Sequence, residues 1–348
     1  MDKKVSNILK YALWIGVAVM LLFFSFRGVD WKDFGMALRG CRWEYVILSM
    51  FLGALVFYVR GLRWRMQLLP IDPSTRSLTC FNAYNICMLV NLVLPRVGEV
   101  VRCGYITKNS ARDGEGRRLA TMDKVIGTVL VDRLWDAVSL VLVLVVLLSL
   151  MWDKFGAFFT QNIFTGLSGR VNLGWVLAFL AVSAAGFIWL CRCLRDRGRI
   201  WGRVWGFISG IGEGLATCLH MERGWLFIFY TVVIWCLYWL MSACIMWSLQ
   251  GIDPARMSPE LAEALVKIDS LTMVDALFLM FAGALSSVVP VPGGFGAFHT
   301  VVAGALVSIY GIPFGLGLIF ATLSHESQVI TDAVCGACSY AYEALHKS

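Results

Sequence analysis

Two apolar stretches of this chain are interrupted by proline and glycine. Residues 91–99 read Asn-Leu-Val-Leu-Pro-Arg-Val-Gly-Glu, and residues 288–296 read Val-Val-Pro-Val-Pro-Gly-Gly-Phe-Gly. Proline removes a backbone donor and clashes with the preceding helical turn, so each motif ends a helix. Lipid offers no hydrogen-bond partner to the backbone set free. Such breaks therefore persist only inside protein or beside water. A pair of them, one in each half of the chain, points to a transport pathway built from discontinuous helices. The breaking residues are Asn91, Pro95 and Gly98 in the first motif, and Pro290, Pro292, Gly293, Gly294 and Gly296 in the second.

That argument requires the chain to lie in a membrane, and its composition puts it there. Hydrophobic residues make up 59% and charged residues 15% of the 348, whereas soluble domains carry about 25% charge. The fold class is all-α, a polytopic helical membrane protein of about six to nine segments. The long apolar stretches are 8–26, 43–62, 75–94, 125–152, 173–191, 224–249, 271–289, 297–311 and 314–341. Stretch 8–26 exceeds a signal-peptide core and has no small-residue cleavage site before Arg27, so it reads as a retained helix. No polar stretch is long enough for a soluble domain. We expect one integral membrane domain over 1–348, with halves 1–172 and 173–348.

The net charge of +7 is read as topology, and no nucleic-acid partner is expected. With the N-terminus inside, segments 1–10, 60–76, 96–118, 192–223 and 342–348 carry 20 Lys and Arg, against 8 in segments 27–44, 153–172 and 250–270. This bias predicts a cytoplasmic-membrane protein with both termini inside. It also makes 77–110 a hairpin entering from inside and turning at Pro95. Segment 271–311 is either a hairpin entering from outside or two ordinary crossings; 297–311 is short for the ~20 residues that a span needs. Opposed hairpins suggest an inverted repeat. Five arginines from Arg192 to Arg203 are interleaved with Trp201, Trp205 and Phe207, which fits either an amphipathic helix on an anionic leaflet or a basic loop with anchoring tryptophans.

Ionisable groups at membrane depth cost about 2.5–3.5 kcal/mol each even on lenient scales, so they are the site candidates. Arg96, Glu99 and Arg102 follow the first break. Glu99 and Arg102 share a helix face, where they either pair or hold the two charges of a head group. Asp132, Arg133 and Asp136 interrupt stretch 125–152; a guanidinium suits phosphate or carboxylate, and the alternative is an ion pair of Asp132 or Asp136 with an arginine of a neighbouring helix, such as Arg96 or Arg102. His299, His325 and Gln328 are polar groups for a pore, with satisfied core histidines as the alternative. The eleven cysteines are scattered, and two histidines without a third close ligand make a weak metal signal. No metal, no cofactor and no catalytic residue is expected, and the chain is read as not being an enzyme.

With these residues in view, the chain resembles the lysylphosphatidylglycerol synthase/flippase transmembrane-domain family, also called flippase-like integral membrane proteins. The resemblance runs through Arg60-Gly-Leu-Arg-Trp-Arg, then residues 91–102, then Val-Asp-Arg-Leu-Trp-Asp at 131–136, then residues 290–296. It implies movement of charged lipid head groups across bacterial membranes, with phospholipids, aminoacylated phospholipids or polyprenol-linked lipids as partners. Many members carry Glu at the position of His299, and often an Arg near His325 and Glu326, so that pairing does not carry over. The aminoacyl-transfer domain of two-part members has no counterpart before Ser348. The leading expectation is a lipid flippase or lipid-binding transporter. Its alternatives are a membrane enzyme or an accessory subunit of envelope-lipid synthesis. Macromolecular partners would be a second copy of the chain or a lipid-synthesis enzyme.

Overall fold

The computed structural model describes residues 3–27, 29–152, 154, 221–254 and 258–346, with scattered positions between 182 and 218; side chains are described from residue 15 onward. The basic segment at 192–223 and stretch 173–191 therefore fall largely outside the described residues, as does the expected boundary at 172/173. The described residues are helical with no strand. They form two compact units, Met1–Val129 with Phe229–Ser348, and Leu130–Ile228.

The helices are α1 (Lys3–Phe26), α2 (Trp31–Gly40), α3 (Trp43–Leu68), α4 (Ser77–Val93), α5 (Val97–Asn109), α6 (Met122–Leu150), α7 (Gly224–Leu249), α8 (Pro259–Asp269), α9 (Met273–Ser286), α10 (Ala297–Tyr310) and α11 (Phe314–His346). A 3-10 turn, Pro292–Gly294, lies between α9 and α10. Helices α3, α6 and α7 are long and apolar enough to cross a bilayer. Their exposed aliphatic and aromatic side chains, such as Ile47, Phe51, Val141, Leu142, Phe229 and Val232, are what lipid contact requires.

In the first unit, α4 and α5 form a hairpin. Its open end is fastened by Asp72, whose carboxylate accepts from the Ser74 hydroxyl at 2.6 Å, the Ser110 hydroxyl at 2.7 Å and the Ala111 amide at 2.9 Å. At 1.5 Å per residue, the 17 residues of α4 reach about 26 Å, short of the ~30 Å hydrocarbon core. Helices α9 and α10 form a second hairpin, 14 residues each. Its open end is fastened by the Tyr310 hydroxyl donating to Asp275 at 2.8 Å and by Lys267 donating to the Gly311 carbonyl at 3.0 Å. Residues 292–310 together are apolar enough for a span, but Gly293 and Gly296, at φ 56° and 77°, interrupt the helix. Helix α10 packs against α9, an arrangement that suits either two arms of a re-entrant hairpin or two adjacent crossings.

The 33-residue α11 runs along both hairpins. Its first half packs on α10, with Gly317 against the Ala303 backbone. Its second half packs on α4: Asn85 donates to Ser339 at 2.9 Å, Asn82 to Glu343 at 3.3 Å, and Gly336 lies against Leu89. The hairpins therefore lie in series with their tips facing each other. The tips adjoin: a Cβ added at Gly293 would lie 3.4 Å from the Leu92 carbonyl oxygen.

Segments predicted to share one membrane face are joined. Asp33 accepts from the Ser258 hydroxyl, and the Arg42 amide donates to the Ser248 carbonyl at 2.8 Å, which ties segment 27–44 to segment 250–270. At the other end Asp72 ties segment 60–76 to segment 96–118. Two features differ from expectation. Helix α3 continues to Leu68, so Arg60 and Arg63 are buried helix residues rather than loop charges. Helices α2 and α8 lie in segments read as loops. Each is short and amphipathic and starts at a side-chain cap, Asp30 for α2 and Ser258 for α8.

Candidate functional site

The first break is a tight turn with a charged rim. Helix α4 ends as the Leu94 amide donates to Val90, and Arg96 takes a left-handed conformation, φ 65°. It is the sole residue other than glycine at positive φ among those described, a conformation costing roughly 1 kcal/mol for a side chain with Cβ. Arg96 itself is exposed. Helix α5 then starts against α4: the Gly98 amide donates to Asn91 Oδ1 at 2.9 Å, and a Cβ on Gly98 would lie 2.1 Å from the Cys87 carbonyl oxygen.

Behind the turn, Arg102 Nε lies 2.7 Å from Glu99 Oε2; Arg102 is fully buried and Glu99 is 23% exposed. The Arg102 guanidinium sits over Trp64 at 4.7 Å and Tyr84 at 5.6 Å, contacts that favour a cation in a desolvated place. Arg60 lies over Tyr84 and Tyr238, and Arg63 donates to Thr231 at 3.4 Å. The buried Arg60 and Arg63 are functional candidates that sequence reasoning passed over. Their spacing of three within an apolar stretch is the feature that could have found them. Of the two expected uses of the Glu99 and Arg102 face, the structure has the pair. Glu99 and Arg96 are the groups that reach the surface.

The second break is held by neighbouring side chains. Pro290 and Pro292 bound a loop in which Gly293, Gly294 and Gly296 all have positive φ. Gly296 is pressed on α1, where an added Cβ would lie 2.6 Å from Leu21 Cβ and 2.9 Å from the Ala18 carbonyl oxygen. The Gly293 carbonyl lies 2.8 Å from His325 Nε2 of α11. His325 Nδ1 is 3.2 Å from Glu326 Oε1, and His299 Nε2 is 3.6 Å from the same oxygen. Both histidines are buried, and aromatic rings of Phe26, Phe295 and Phe298 surround them. The fold thus brings a third ligating group, Glu326, to the two histidines, and the three offer atoms within 4.8 Å of one another.

Between the residues of α11 that hold the second break and those that pack on α4 lie Gln328 and Asp332. The Gln328 amide donates back to the Ser324 carbonyl at 3.0 Å. With Thr331, Tyr84, Met88, Phe57 and Tyr238, these two line a cavity of ≈ 110 Å³, room for a few waters.

Asp132, Arg133 and Asp136 belong to the second unit. Asp132 is buried, and Arg133 lies 3.5 Å from Asp136 across one helical turn. This pair lies within α6, unlike the pair with an arginine of a neighbouring helix considered from sequence, and Arg133 stays 39% exposed.

A family model described as lysylphosphatidylglycerol synthase TM region matches residues 9–336. No curated protein and no solved structure matches the chain.

Proposed function

The chain belongs to the lysylphosphatidylglycerol synthase TM region family, and from this premise we propose that it is a transporter that binds and moves a charged lipid head group across the membrane. The observation that carries this reading is the meeting of two broken hairpins tip to tip, Gly293 against Leu92. Two breaks at one depth concentrate freed backbone dipoles and charged side chains where a polar head group must pass, while acyl chains remain in lipid. In this reading Arg96, exposed at the first tip, meets phosphate, and Glu99 meets an amine. Arg102, buried beneath it, positions Glu99. In the second unit, Arg133 is a separate phosphate candidate, oriented by Asp132 and Asp136. Asn91, Pro95 and Gly98 shape the first tip; Pro290, Pro292, Gly293, Gly294 and Gly296 let the second shift; His299, His325 and Gln328 supply polar groups beside it.

The substrate class is an anionic or aminoacylated phospholipid, or a polyprenol-linked lipid, and the reading is of a transporter rather than an enzyme. We place it in the cytoplasmic membrane with both termini inside. Removing Arg60, Arg63, Arg96 and Arg102 from the inner segments, because the helices and hairpin hold them, leaves 16 basic residues there against 8 outside, still the inner bias that sets orientation. The test is transbilayer exchange of fluorescent phosphatidylglycerol, its lysyl ester and a polyprenyl phosphate in proteoliposomes. Faster exchange with the protein, slowed by Arg96→Gln, is the expected result. Exchange at the protein-free rate for all three lipids would sink the reading.

A further inference from the structure

We propose that His299, His325 and Glu326 form a binding site for a first-row divalent transition-metal ion, with zinc as its representative. The argument starts from counting protons on His325. Its Nε2 lies 2.8 Å from the Gly293 carbonyl oxygen, and its Nδ1 lies 3.2 Å from Glu326 Oε1. Both facing atoms are acceptors only. A neutral imidazole carries one N–H, so in either tautomer one nitrogen lone pair would face an oxygen lone pair. A further proton, on the ring or on the carboxyl, or a metal ion must therefore sit on one side. Metal-bound histidines ordinarily donate the other ring N–H to a backbone carbonyl, and the Nε2 contact to Gly293 has that arrangement. Nδ1 is then the ligating atom, and it points at the carboxylate.

His299 supplies the second, independent observation. It is 1% exposed, its Nε2 points at the same Glu326 oxygen from 3.6 Å, and its buried Nδ1 has no hydrogen-bond partner. A bond at Nε2 would replace a contact too long for a hydrogen bond, though it would leave the ring proton on Nδ1 without the acceptor that metal-bound histidines ordinarily have. The geometry also suits an ion. With metal–ligand bonds of about 2.0–2.1 Å, ligand atoms on a tetrahedral centre are about 3.3 Å apart. The two contacts to Glu326 are 3.2 and 3.6 Å. Two imidazoles and one carboxylate favour zinc, copper or nickel over magnesium and calcium. Glu326 is 39% exposed, which leaves a side from which ion and water can enter. The ion would tie α10 to α11 and, through the Gly293 carbonyl, hold the backbone of the second break. This inference stands whether or not the protein moves lipid.

The test uses the full chain, purified in detergent with a histidine-free tag, stripped with a chelator and titrated with cobalt(II). The expected result is saturation at one equivalent, visible d–d absorption of tetrahedral type, and displacement by zinc(II). Glu326→Gln, isosteric and at a partly exposed position, should weaken binding by more than about tenfold, and His299→Asn likewise. His346→Asn, at the exposed end of α11, should change nothing. Glu326→Gln decides the matter if His299→Asn does not elute as folded protein in size exclusion. Absence of saturable binding in the parent protein overturns the site. Equal binding by Glu326→Gln also overturns it.

Discussion

At the first break Gly98 lies directly on the α4 backbone, and a buried guanidinium closes the turn from behind. At the second, three glycines at positive φ form a loop held from outside by His325 of α11 and by the surface of α1. One tip is fixed by its own packing, the other by side chains of neighbouring helices. A segment fixed by its own packing moves as a unit, whereas one held by a few polar contacts shifts when they are exchanged. In the proposed reading this contrast gives recognition to the first tip and movement to the second, and substitutions can break it.

The largest effect is expected from Glu99→Gln. It removes the carboxylate 2.7 Å from the buried Arg102 guanidinium, and breaking such a pair costs about 3–5 kcal/mol. Thermal unfolding in detergent should register a large drop; an unchanged midpoint would show that the pair does not hold the first tip. Gly98→Ala follows. With its Cβ 2.1 Å from the Cys87 carbonyl oxygen, the hairpin must open, at about 3 kcal/mol. Gly296→Ala should cost about 2 kcal/mol, from its φ of 77° and its contact with Leu21 and Ala18. The contrast predicts more: Gly296→Ala should slow lipid exchange beyond what its loss of stability explains, whereas Gly98→Ala should reduce both together.

The base of the first hairpin responds to acid. Burial opposes ionisation of Asp72, but the hydrogen bonds from Ser74, Ser110 and Ala111 outweigh it and hold the carboxyl below the usual aspartate range. A depressed native pKa contributes stability above the unfolded-state value, and that contribution is lost as pH falls through the native value. Unfolding midpoints of the parent and Asp72→Asn should therefore differ at neutral pH, by about 1–2 kcal/mol, and converge in strong acid. A gap that persists there would remove the charge from the account.

Much of this arrangement was legible in the residues. Apolar runs placed α4, α6, α7, α9 and α10 to within about three positions of their ends and stopped short of the C-terminal ends of α3 and α11, because length and hydropathy decide a membrane helix. Proline and glycine placed both breaks, because they act on their own backbone. What was not legible depends on residues far apart in the chain. Nothing near Leu92 marks it as the neighbour of Gly293. Arg60 and Arg63 looked like solvated loop charges because a charge at the end of an apolar run usually is one, and Trp64 and Tyr84 reveal their burial only once folded. Glu326 adjoins His325, so its spacing resembled no ligand motif until His299 arrived from another helix.

The smallest effect on stability is the most informative about function. Arg96 occupies a left-handed conformation, φ 65°, which costs roughly 1 kcal/mol for any residue with a Cβ. Glycine would relieve that cost, and its greater freedom in the unfolded chain would take back a similar amount. Arg96→Gly should therefore leave the unfolding midpoint within about 0.5 kcal/mol of the parent. Its charge is exposed at the tip, so its removal should act on what binds there: slower exchange of anionic lipid in proteoliposomes, with Arg96→Lys retaining part of the rate as a point charge without the guanidinium fork. Strain at an exposed arginine, where glycine fits the backbone at no loss, is an observation from which function can be inferred. If Arg96→Gly exchanges anionic lipid at the parent rate, the first tip is only a turn, and recognition must lie elsewhere, with Glu99 or Arg133.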